Sequence, residues 1–86
     1  MDIKSLLKLH KSGFENKELI EKTDECGCFY CKTIFKPNEI KDWCDDGKTA
    51  ICPYCGVDSV ICNTDDYKVC ENDLRRMYNY FFKETN

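Results

Sequence analysis

The chain has 86 residues, 13 Lys and Arg against 16 Asp and Glu for a net charge of −3, and eight cysteines. That length allows one domain with a small core, and the acidic balance speaks against a large phosphate-binding surface, which needs clustered Lys and Arg. Charges interrupt the early apolar stretch from Met1 to Lys8 and no signal or membrane-spanning run follows, so the chain is read as cytoplasmic, where paired cysteines point to a metal before a disulfide.

From Asp2 to His10, the residues Ile3, Leu6, Leu7 and His10 recur at i, i+3, i+4 and i+7. This spacing predicts an amphipathic helix stopped by Ser12-Gly13. A second short helix is expected from Asn16 to Lys22, with Leu19 and Ile20 inward and Phe14 at its entrance. His10 is the sole histidine. No ligand-type residue stands at a metal spacing from it, and it is read as a helix-face residue.

Cys28-Phe29-Tyr30-Cys31 and Cys52-Pro53-Tyr54-Cys55 follow, with twenty residues between them. Two intervening residues let both sulfurs of a pair reach one tetrahedral ion, while backbone amides at the turn point at the thiolates. The predicted site is one structural zinc ion per chain on Cys28, Cys31, Cys52 and Cys55. Four thiolates leave no open coordination position, so the site holds structure and performs no hydrolysis. Zinc contributes about 10–16 kcal/mol in small zinc peptides, against about 5–15 kcal/mol of stability for a whole domain. The ion is therefore expected to decide whether the middle of the chain folds. Thiolates accept iron as well as zinc.

Between the pairs, Lys32 to Phe35 reads as a short strand, and Pro37 as the first position of a helix through Asn38 to Trp43 with Ile40 and Trp43 on one face. Trp43 is expected to cap the core over the metal site, with a partner anchor as the alternative. Asp45-Asp46-Gly47-Lys48 is a hairpin turn. Thr49-Ala50-Ile51 enters the second pair as a strand, and Gly56 to Ile61 leaves it as one. Strand, metal turn, strand is the layout of a zinc ribbon. The β-branched Val57, Val60 and Ile61 weigh against a helix there, and so against a treble clef.

After a polar loop at Asn63 to Asp66, a final helix is expected from Glu71 to Lys83. Cys70, Leu74, Met77, Tyr78, Phe81 and Phe82 fall on one side, Glu71 and Asp73 in its first turn and Lys83 in its last. The aromatic stripe of Tyr78, Tyr80, Phe81 and Phe82 reads as core. Of the other cysteines, Cys26 is placed to support or compete at the site. Cys44, Cys62 and Cys70 read as buried small apolar residues, against the alternative of a second metal site. The predicted fold is thus a single small α+β domain over 1–86. A zinc-ribbon-like β-hairpin core (26–62) is flanked by an N-terminal helical arm (1–25) and by a linker with a C-terminal amphipathic helix (63–86).

Cys26-Gly27-Cys28-Phe29-Tyr30-Cys31, Ile34 to Trp43, and Thr49-Ala50-Ile51-Cys52-Pro53-Tyr54-Cys55-Gly56-Val57-Asp58-Ser59-Val60-Ile61 resemble a family of small bacterial proteins known only as cytoplasmic proteins. Leu74 to Phe82 is similar to that family's aromatic-ended last helix, while the linker from Cys62 to Val69 departs from its pattern. The resemblance implies a cytosolic, metal-stapled fold and no particular substrate. Cys52-Pro53-Tyr54-Cys55 is also similar to the redox motif of glutaredoxins, although only thirty-one residues follow it, too few for that fold. Cys52 to Val57 is similar to the second iron turn of rubredoxins, but Lys32 follows the first pair where rubredoxins have glycine.

No Ser/His/Asp set, phosphate loop or open metal site is visible, so the expected function is non-enzymatic. It is a zinc-stapled module binding a protein partner through the last helix's aromatics or the acidic turn at Asp42 to Asp46. A small regulator, or an inhibitor of a host protein encoded by a mobile element, is the expected setting. The alternatives are a nucleic-acid-associated ribbon using Lys32, Lys36, Lys41 and Lys48, an iron electron carrier, and a thiol-disulfide oxidoreductase.

Overall fold

The computed structural model describes residues 3–82. Asp2, where the first helix is expected to begin, and Lys83, expected in the last turn of the final helix, lie outside that range. The order of elements is α1 (Ile3–Lys11), α2 (Lys17–Lys22), β1 (Cys26–Cys28), β2 (Ile34–Phe35), a 3-10 turn (Pro37–Glu39), β3 (Asp42–Cys44), β4 (Thr49–Ile51), β5 (Val60–Cys62) and α3 (Glu71–Phe81). It is a small α+β fold with two antiparallel sheets, β2-β1-β5 and β3-β4. Among the described residues no helix is long and apolar enough to cross a membrane.

The three-stranded sheet separates two apolar layers by the period-two alternation of its strands. Cys26 and Cys28 on β1 and Val60 and Cys62 on β5 point into one layer with Ile20, Phe35, Ala50 and Cys52. Ile61 points into the other, with Leu6, Leu9, Phe29, Val69, Leu74 and Met77. Gly27 faces that second layer as well. A Cβ there would sit 2.6 Å from Val69 Cγ1 and 3.0 Å from Leu74 Cδ1, so glycine is what lets α3 settle directly on the backbone of β1.

Asn16 joins the two sheets. It is fully buried. Its Nδ2 donates to the Val60 carbonyl on β5 at 2.8 Å, and its Oδ1 accepts the Ala50 N–H on β4 at 3.1 Å. Beside it, the Glu15 N–H donates to Thr49 Oγ1 and the Lys17 N–H to the Lys48 carbonyl, so the α1–α2 junction is sewn to the β3–β4 hairpin.

Several expectations are corrected. Asn38 to Trp43 is not a helix: a 3-10 turn ends at Glu39 and Asp42–Cys44 is a strand. Trp43 pairs with Ala50 across the hairpin, and this pairing, closed by Asp45, Asp46 and Gly47 all at positive φ, overrides the local helical pattern. Ile40 and Trp43 still pack on the metal-side layer. The strand after the second cysteine pair begins at Val60 instead of Gly56. It pairs with β1, while β4 pairs with β3, so the strands flanking the second pair belong to different sheets.

On α1 the buried residues are Leu6 and Leu9, whereas Ile3 and Leu7 are exposed. On α2 Ile20 is buried and Leu19 exposed. The aromatic stripe of α3 divides: Tyr78 and Phe81 are half-buried, Tyr80 and Phe82 exposed. Cys62 is buried as expected, but Cys44 is half-buried and Cys70 exposed.

Candidate metal centre

The two Cys-x-x-Cys segments fold into the same turn. In the first, the Lys32 N–H donates to the Cys28 carbonyl (2.8 Å) and the Cys28 N–H to the Thr33 carbonyl (3.0 Å). In the second, the Gly56 N–H donates to the Cys52 carbonyl (3.0 Å) and the Cys52 N–H to the Val57 carbonyl (2.9 Å). In each, the amide two residues on, Tyr30 or Tyr54, points its N–H at the sulfur of the leading cysteine at 3.4 Å. These donors spread the charge a thiolate would carry.

The turn ends on a left-handed residue in both copies, Lys32 at φ 65° and Gly56 at φ 77°. Glycine takes that conformation without steric cost, and lysine does not. The Lys32 ammonium lies 3.8 Å from the centre of the Tyr78 ring on α3. That cation–π contact, worth about 0.5–1 kcal/mol at an exposed site, offsets part of the strain.

The sequence-predicted ligands come together. The sulfurs of Cys28, Cys31, Cys52 and Cys55 all lie within 4.8 Å of one another. The close separations run between the turns: Cys28 to Cys55 is 3.6 Å and Cys31 to Cys52 is 3.7 Å. A metal–sulfur distance of about 2.3 Å places the corners of a tetrahedron about 3.8 Å apart. The cluster therefore has the dimensions of a four-sulfur metal site, and these residues fit a tetrahedral ion.

The other cysteines stay out of it. Cys26 faces Cys62 across β1 and β5, and among the described residues Cys44, Cys62 and Cys70 form no second group. Burial pushes the Cys26 thiol up to about 12 and the Cys62 thiol to about 11, so both remain neutral packing groups.

The thiols of the cluster differ in how readily they ionise. Burial pushes the Cys28 thiol up and the Cys52 thiol to about 11. Burial also acts upward on Cys31, but hydrogen bonds with Thr33 and Cys52 outweigh it and hold that thiol down at about 7. An ion bound by all four sulfurs must expel the remaining protons, and its charge supplies the compensation that burial withholds.

The surroundings are tied to the site. The Tyr54 hydroxyl donates to the Glu39 carboxylate, fastening the second turn to the 3-10 segment. Sequence reasoning missed this bond, along with the bridging role of Asn16. Asn16 carries a signal, being a polar residue at a helix entrance, but its amide makes no cap hydrogen bond and its partners lie far along the chain. Comparison with known protein families, curated proteins and solved structures finds no match to this chain.

Proposed function

We propose that the chain is a non-enzymatic protein-interaction module of zinc-ribbon type, stapled by one zinc ion on Cys28, Cys31, Cys52 and Cys55. The observation that carries this reading is the four-sulfur cluster at tetrahedral spacing, reached by two equivalent turns. With four sulfurs round one ion no position is left for water or substrate, so the ion acts on the fold. What the fold then offers is surface. Ile3, Leu7, Phe14, Tyr30, Tyr54, Tyr80 and Phe82 are large apolar residues held at least a third exposed, and an interaction site is marked where such residues form a contiguous patch.

Elemental analysis with a visible absorption spectrum tests the metal half. One zinc per chain and a colourless protein are expected. Stoichiometric iron with a red chromophore would replace this reading by an electron carrier. A metal-free folded protein with reactive thiols would replace it by a thiol-disulfide enzyme. The interaction half is tested by affinity capture with the zinc-loaded full chain, the expected outcome being a specific protein retained at physiological salt.

A further inference from the structure

The net negative charge of the chain hides a segregation. Segments 3–14, 28–35 and 74–82 hold Lys4, Lys8, Lys11, Lys32, Arg75 and Arg76 and no carboxylate. Spatially these segments meet. His10 stacks on Phe81 (ring centres 4.1 Å apart) and contacts Phe29 at 5.7 Å, and Phe29 contacts Phe82 at 5.6 Å. The acidic residues of the described chain lie in the remaining segments, among them α2, the hairpin turn, the 63–68 loop and the first turn of α3, where Glu71 pairs with Arg75 at 2.8 Å.

On this face α1 turns a second apolar stripe outward. Leu6 and Leu9 point into the core, while Ile3, Leu7 and Phe14 stand 57%, 48% and 51% exposed. His10 lies on the same stripe with Phe14 edge-on against it at 5.4 Å. At 100° per residue Lys4 and Lys11 border that stripe on its solvent side. Toward α3, Leu6, Arg76, Asn79 and Tyr80 line a cleft of about 330 Å³, and Tyr80 is 47% exposed. The result is an apolar strip with ammonium groups on one border and a guanidinium on the other.

We propose that this α1–α3 face is the docking surface for an acidic amphipathic helix of another protein. Such a helix sets its apolar side chains on Ile3, Leu7, Phe14 and Tyr80 and its carboxylates on Lys4, Lys11 and Arg76. The inference rests on the interaction-module reading and names the partner's chemistry. Charge complementarity selects an acidic occupant. The aliphatic Ile3 and Leu7 favour a helix over single-stranded nucleic acid, which would find exposed rings on this face at Phe14 and Tyr80 alone, the His10 ring being stacked against Phe81.

The test is fluorescence anisotropy of the zinc-loaded full chain with a labelled peptide of three Leu/Glu heptads. The matching Leu/Lys peptide and an oligo-dT strand serve as competitors, and sedimentation velocity of the protein alone reports self-association. The Leu/Glu peptide is expected to bind, with amide NMR shifts concentrated on α1 and the end of α3. Lys4→Glu/Lys11→Glu is expected to weaken binding about tenfold or more, since reversal turns two attractions into repulsions. Lys48→Glu on the hairpin should leave it unchanged.

Equal binding of the Leu/Lys peptide would overturn the proposal. So would displacement by oligo-dT at lower concentration, which assigns the face to nucleic acid, or a wild-type dimer in sedimentation velocity whose concentration-dependent amide shifts fall on this face, which assigns it to a second copy of the chain. No binding of the Leu/Glu peptide would also overturn it. If the wild type and Lys4→Glu/Lys11→Glu then capture the same cellular protein equally well, the interaction module stands and only this face is wrong. If neither captures anything, the module reading falls with it.

Discussion

The β2-β1-β5 sheet separates two layers that hold together by different chemistry. On the helix side, Leu6, Leu9, Phe29, Ile61, Val69, Leu74 and Met77 form an ordinary apolar core, stabilised by removing hydrocarbon from water and by close packing. On the metal side, the buried set is Cys26, Cys28, Cys52 and Cys62 with Ile20, Phe35, Ala50 and Val60, and Cys31, Ile40, Trp43 and Cys55 pack against it in part. A layer in which half of the buried residues are cysteines is less able to offset the entropy of ordering short strands. The contrast predicts that a bound ion, as proposed, matters most for the two turns and the hairpin between them, while the helices lean on apolar packing that includes Phe29 and Ile61.

The largest test of that contrast is to remove the ion's hold. Cys52→Ser, or a strong chelator on the wild type, should abolish stoichiometric metal binding and cost on the order of 10 kcal/mol, more than the metal-side layer can lose and stay folded. Amide NMR should show resonances of 26–62 collapsing to random-coil positions. Retention of their native dispersion in metal-free protein would show that packing suffices.

Asn16→Ala comes next. It leaves the Ala50 N–H and the Val60 carbonyl buried without the partners they have now, at about 2–4 kcal/mol in urea unfolding. It should loosen the join between the two sheets while leaving the metal stoichiometry at its wild-type value. A loss under 1 kcal/mol would mean the sheets are held together some other way.

These two residues mark what a sequence can and cannot say. The gathering of the four sulfurs was legible because its spacing is local: each turn needs two cysteines three apart. The helices were legible for the same reason, by period. The orientation of α1 was not, because Ile3, Leu6, Leu7, Leu9 and His10 leave two adjacent apolar stripes, and only docking against Phe29 and Met77 decides that Leu6 and Leu9 go in. The stretch from Asn38 to Trp43 was misread since its partner strand, Thr49–Ile51, lies across a turn. Asn16 acts on strands 34 and 44 residues away, a distance at which no local pattern exists.

The pH dependence separates structural thiols from ligand thiols. Cys26 and Cys62 are raised by burial to about 12 and about 11, from the ordinary value of 9.0. A group raised in the folded state keeps its proton there and loses it first on unfolding. Its contribution is therefore whole below pH 9 and is lost as pH rises toward 11 and 12. The melting temperature should fall across that window, and Cys62→Val should flatten the fall up to pH 11. An unchanged slope in that variant would assign the loss to other groups.

The smallest effect compares the two turns directly. Gly56→Ala, at φ 77°, should cost about 1–2 kcal/mol. Lys32→Gly, at the equivalent position, should gain about 1 kcal/mol or less once the lost contact with Tyr78 is subtracted. Thermal melts of the two zinc-loaded variants should move in opposite directions. A destabilised Lys32→Gly would show that the tie from the turn to α3 outweighs the backbone strain.

The equivalence of the two turns also has a kinetic consequence. Each forms from six consecutive residues, so it samples its shape on the timescale of a short loop. An ion held by one turn can then capture the other by closing a loop of modest length, for Cys31 and Cys52 are 21 residues apart. The slower steps are the remote ones: the Asn16 bridge to Val60, 44 residues on, and the meeting of His10 with Phe81, which brings nearly the whole chain round. Folding should therefore run from the middle outward, with free metal concentration setting its first step and the search of the two outer helices for each other setting its last.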